Sequence, residues 1–140
     1  MPSEAAAGGA GARAPYYRWL FVLAAVWNQL SACAVLFLLT NPKFRQDMGF
    51  PGPPDTISLQ LLAACLFVFG VGYYLVSRDF SRNRDLVKLG VIGKPLVTLV
   101  FFAHALAHEI PWLLTVPSVV DVLFGALFLE FLVRTRGKAQ

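Results

Sequence analysis

His104 and His108 stand four residues apart, with Glu109 next to the second. On an α-helix, positions i and i+4 share a face, so two imidazoles at this spacing can reach one metal ion and a nearby carboxylate can complete the set. The spacing is common, and the same residues also fit a proton-handling site or plain polarity at the rim of an apolar segment. Asp121 follows on the next apolar segment, and Ser118-Val-Val-Asp121 just after Pro117 reads as a capping box. Helix initiation alone therefore accounts for that carboxylate.

Lys94 is the most costly residue in the chain. At 100° per residue, Gly90, Lys94, Val97, Phe101, His104 and His108 fall within a sector of about 80°. Such a polar stripe is expected to face other helices. An unpaired Lys deep in an apolar helix costs roughly 2.5–3.5 kcal/mol on insertion scales. Two arrangements stay open. Lys94 can pair with Glu130 on the last span, or it can extend to the headgroups while Glu130 pairs with Arg134 at i,i+4. Pro95, next to Lys94, lacks a donor and should kink the helix.

The remaining polar and small residues inside apolar segments read as packing devices. Asn28, Gln29 and Gln60 are expected to supply interhelical hydrogen bonds, while Gly90 and Gly93 allow close approach. Ala63, Phe67, Gly70 and Tyr74 form a comparable row at helical spacing. Cys33 and Cys65 read as small packing residues. They form no Cys-x-x-Cys pair, and a structural disulfide stays conceivable.

Four apolar stretches must position these groups: Tyr16–Thr40, Ile57–Val76, Leu86–His108 and Trp112–Val133. At about 1.5 Å rise per residue, each can approach or cross a ~30 Å hydrocarbon core. With 57% hydrophobic residues, a water-soluble globule would expose far too much apolar surface. The expected fold is all-α, a polytopic membrane four-helix bundle over residues 15–134, surrounded by lipid. A disordered tail over 1–14 and a short basic tail over 135–140 flank it. Leu30-Ser31-Ala32-Cys33 fits a lipobox, but Ala34–Leu39 continues apolar beyond the cut, so the first span reads as uncleaved.

Charge orients the bundle. Arg13, Arg18, Arg78, Arg82, Arg84, Lys88, Arg134, Arg136 and Lys138 lie on one side, against Lys43 and Arg45 on the other. The positive-inside rule then puts both termini in the cytoplasm, and for a bacterial chain the membrane is the inner one. The net charge of +4 is thus a topological signal, and clustered arginines suit anionic lipid headgroups better than nucleic acid. Asn41-Pro42 ends the first span, and Pro51-Gly-Pro-Pro54 precedes a cap at Asp55 or Thr56. Phe44, Met48 and Phe50 make the intervening loop amphipathic. Tyr16, Tyr17, Trp19, Tyr73, Tyr74 and Trp112 read as interfacial aromatics.

In layout over residues 16–133, the chain resembles the DoxX-like group of small bacterial four-helix membrane proteins. The resemblance is carried by Gly70-Val-Gly-Tyr-Tyr-Leu-Val-Ser-Arg-Asp79, Arg84-Asp-Leu-Val-Lys-Leu-Gly-Val-Ile-Gly-Lys94 and Asp121-Val-Leu-Phe-Gly-Ala-Leu-Phe128. Asn28-Gln29 departs from the group's usual first span. The resemblance implies a small membrane component, in some members linked to quinone-dependent sulfur oxidation or redox defence. Three functions follow as expectations: a non-catalytic subunit or accessory component with a membrane-protein partner or as a homo-oligomer, a redox subunit using quinone, and a small transporter or ion-handling protein.

Overall fold

The computed structural model describes residues 13–50 and 55–136. Of the tails expected over 1–14 and 135–140, residues 1–12 and 137–140 lie outside the described residues, as does the proline run over 51–54, while Ala14 already belongs to the first helix. The elements are α1 (Ala14–Thr40), α2 (Pro42–Asp47), α3 (Thr56–Arg78), α4 (Arg84–Leu106), a 3₁₀ turn (Trp112–Leu114) and α5 (Thr115–Arg134). Among the described residues, four stretches are long and apolar enough to cross a membrane: α1, α3, α4, and the 3₁₀ turn continuous with α5. The protein is therefore all-helical with a bilayer as its expected surroundings.

Local chemistry sets the helix ends. Pro15 occupies the first turn of α1, where its missing N–H costs nothing. At the other end, Pro42 holds Asn41 extended, and the Asn41 side chain accepts from the Phe44 N–H at 3.0 Å to start α2. Arg45 then folds back, its Nη1 donating to the carbonyls of Leu38 at 3.0 Å and Leu39 at 2.9 Å. Those carbonyls end α1 and would otherwise lack partners. The segment read as an amphipathic loop is thus a helical cap on α1, with Phe44 against Phe37 at a ring separation of 5.1 Å.

Asp55 caps α3, accepting from the Ser58 N–H at 3.3 Å and the Ser58 hydroxyl at 2.5 Å. The α3–α4 connection is tight because Asp79 accepts from the N–H groups of Ser81 at 3.0 Å and Arg82 at 3.1 Å. The Arg84 guanidinium reaches the end of α5, donating to the carbonyls of Leu132 at 2.6 Å and Thr135 at 3.2 Å. Cationic capping of exposed carbonyls also suits the helix dipole.

The helices associate as two antiparallel pairs, α1 with α3 and α4 with α5. Within the first pair, Ala24, Ala25, Ala32, Ala63 and Gly70 are buried and let the backbones approach. Between the pairs, large rings fill the gap. Phe21 meets Phe128 at 5.0 Å and Phe131 at 5.1 Å, and Tyr73 meets Phe128 at 4.9 Å. This aromatic core sits in the half of the bundle nearest Ala14 and Arg134.

Several assignments of face change in three dimensions. Tyr17 and Tyr73 are buried at 3% and 2% exposure, not interfacial. Phe67 and Tyr74 point outward, and Leu66 and Tyr73 take their places on the inner side of α3. Cys33 and Cys65 are exposed free thiols, so neither is a packing residue and they do not pair. Helix phase explains each change: a one-residue shift rotates the position by 100°.

Candidate functional site

Near the middle of the bundle, Lys94, Asp121 and Asn28 form one polar cluster. Lys94 projects from α4 and its Nζ donates to Asp121 Oδ1 on α5. The same ammonium lies 3.5 Å from Asn28 Oδ1 on α1, and Asn28 Nδ2 donates to the Leu66 carbonyl of α3 at 3.4 Å. The cluster therefore touches all four long helices. Lys94 is 6% exposed and the Asp121 side chain 14%. Two rings complete the enclosure, with Nζ 5.5 Å from the centroids of both Tyr73 and Phe124. The ring faces carry partial negative charge and stabilise the ammonium alongside the carboxylate.

Small residues make room for it. A Cβ on Gly125 would lie 3.7 Å from Lys94 Cβ, an ordinary contact, while any larger side chain there would crowd the lysine. Gly90 is tighter: a Cβ would sit 2.7 Å from the Tyr73 hydroxyl and 3.0 Å from Phe128 Cδ2. Gly70 meets the Gln29 amide in the same way, at 2.6 Å, where Gln29 Nε2 donates to the Phe67 carbonyl at 3.1 Å.

Of the two arrangements open for Lys94, neither holds in full. Glu130 does pair with Arg134, at 2.9 Å. Lys94, however, does not extend to the headgroups but meets Asp121. Glu130 lies about 13 Å further along α5 by helical rise, beyond the reach of a lysine side chain. Asp121 in turn is not part of a cap. Helix α5 begins at Thr115, with Leu114 at the N-cap and no side-chain cap bond, so Ser118 and Asp121 are interior positions. The missed signal was the spacing of Ser118, Asp121, Gly125 and Phe128, a small and polar stripe on one helix face.

The stripe on α4 also needs correction. Gly90 and Lys94 face inward, but Val97 is 38% exposed and His104 is exposed. Thr98 and Ala105 hold the inner positions instead. Gln60 is exposed and makes no interhelical hydrogen bond among the described residues.

The expected His104/His108 face does not form. Helix α4 stops at Leu106, and His108 adopts φ 60°, turning the chain away from the helical path. His104 Nδ1 lies 2.5 Å from Glu109 Oε2 on the exposed rim. Among the described residues, no three His, Cys, Asp or Glu side chains gather as a metal site.

Compared with known proteins, the chain matches no family model, no curated protein and no solved structure.

Proposed function

We propose that this chain is a non-catalytic subunit or accessory component of a membrane assembly, in the bacterial inner membrane with both termini cytoplasmic. The observation supporting this reading is how the buried charge is used. The Lys94 ammonium is matched within the chain by Asp121, Asn28 and two rings, and the cluster joins all four helices. A buried pair of this kind fixes the register of the elements it joins. At the same time only 22–28% of the most apolar window of each span is buried. Lipid or a partner must cover the rest.

Purification from native membrane in mild detergent tests the role. A stoichiometric membrane-protein partner is the expected result. Recovery of this chain alone, with no change in any membrane complex when it is deleted, overturns the accessory role. Bound quinone in the same preparation would favour the redox function suggested by the DoxX-like resemblance.

A further inference from the structure

Helix α1 carries a second line of residues at heptad spacing. Val22, Val26, Gln29, Cys33 and Leu36 alternate steps of four and three and fall within about 80° of one another. The first four each follow a buried residue, Phe21, Ala25, Asn28 and Ala32, and so sit about 100° round from the inner side. Val26 is 48% exposed, Leu36 47%, and Cys33 is an exposed thiol. The line therefore faces lipid alongside α3.

Gln29 is the residue in it that hydrocarbon cannot satisfy. It lies about 22 Å from Ala14 and about 16 Å from Thr40 by helical rise, next to the Asn28 that meets Lys94 in mid-bundle. One of its amide protons goes to the Phe67 carbonyl at 3.1 Å. The second amide proton and Oε1 have no partner among the described residues, and lipid tails offer none. Asn28, Lys94 and Asp121, at similar depth, instead turn inward and bond within the bundle.

We propose that this line is a dimer interface whose occupant is the same line on a second copy of the chain. A carboxamide is self-complementary, because two of them can exchange one N–H···O bond in each direction. Copies inserted in one orientation hold Gln29 at one depth. A twofold axis along the membrane normal then brings the two amides together. The same axis sets Val22, Val26, Cys33 and Leu36 each against its own copy, and a lone amide in an apolar heptad line fixes the register. This interface goes beyond the accessory role and does not rest on it.

The two native thiols test the geometry in the full chain reconstituted in liposomes. Cys33 lies in the line, whereas Cys65 sits two positions after the buried Ala63 and so on the side of α3 away from α1. A Cys65→Ser chain, keeping Cys33, and a Cys33→Ser chain, keeping Cys65, are oxidised with copper phenanthroline at low protein density. Disulfide-linked dimer should form through Cys33 at least about tenfold faster than through Cys65, since bridging requires close backbones. Equal rates, faster linkage through Cys65, or no linkage through Cys33 overturns the interface.

Dimer fraction against protein-to-lipid ratio, read by energy transfer, tests the amide. Gln29→Leu is expected to weaken dimerisation about tenfold, as loss of an interhelical hydrogen-bonded pair would. Because Gln29 also holds Phe67, Val26→Trp supplies a second variant that changes only a lipid-facing residue, and it too should lower the dimer fraction. Unchanged dimerisation in either folded variant overturns the assignment. Dimers formed with no other protein recovered from native membrane refute the accessory role alone. Linkage of Cys33 to a different protein there, without self-linkage, overturns the dimer alone.

Discussion

The hydroxyl of Tyr73 on α3 stands against Gly90 on α4, 2.7 Å from where a Cβ would be. Here the two helix pairs meet, and Phe128 closes the contact from α5, its Cδ2 3.0 Å from the same point. Gly90→Leu must displace both rings and is expected to cost about 1–3 kcal/mol or more, because overpacking a filled core moves backbone as well as side chains. Leu99→Val changes a residue that is 66% exposed and should be mild. Thermal stability of both variants in one detergent checks the ordering. The reverse ordering would mean that the inner face of α4 is misassigned.

Lys94 and Asp121 should behave as a coupled unit. Asp121→Leu alone leaves an ammonium with a weak amide partner, and Lys94→Met alone leaves a carboxylate with none. Each is expected to destabilise by about 3–5 kcal/mol, whereas the double variant should recover most of the loss because no uncompensated charge remains. A double-mutant cycle on unfolding in mixed micelles measures the coupling. Additive losses would show that the two residues act independently.

Arg84 should matter at a distance in sequence. Its guanidinium holds Leu132 and Thr135, including the Thr135 hydroxyl at 2.6 Å. Arg84→Ala is expected to release the last turn of α5 at a cost of about 1–3 kcal/mol, the range for charged hydrogen bonds. Faster amide exchange confined to residues 132–136 is the readout. Arg84→Lys should rescue only in part, since one ammonium cannot reproduce the planar fork.

The α3–α4 turn should loosen in acid. Hydrogen bonds from the Arg82 N–H and from Ser81 hold the Asp79 carboxyl below its ordinary range. A lowered value in the folded chain means that the turn's extra stability is present above the ordinary carboxylate range and is lost as pH falls through the lowered value. Amide protection at Ser81 and Arg82 should therefore drop at low pH. Asp79→Ala should abolish both the protection and its pH dependence.

Topology can be read directly. Cysteines introduced at Gly52 and Gly137, in the Cys33→Ser/Cys65→Ser background, should label from opposite sides, with Gly137 on the cytoplasmic side. Matching accessibility would overturn the four-span arrangement.

The sequence by itself determined what needs only local information. The length of each apolar run, Pro42 after Asn41, and Asp55 before Thr56 specified four long helices and most of their ends, because helix formation and capping depend on near neighbours. It also singled out Lys94, since a charge in hydrocarbon is costly wherever it points. Gly90 and Gly70 were legible as close-approach positions for the same reason.

Only the tertiary structure decided which carboxylate Lys94 meets. Asp121 and Glu130 lie on the same helix, and local patterns offered each another role, a cap for Asp121 and an i,i+4 pair with Arg134 for Glu130. The distinction depends on the vertical register of α4 against α5, fixed by Gly125 beside Lys94 and by Arg84 at the end of α5. It likewise depends on helix phase, which put Tyr73 inside and Tyr74 outside and moved the inner line of α4 from Val97 to Thr98. In a chain apolar on nearly every face, hydrophobic periodicity carries little phase information, so steric fit between helices makes that choice.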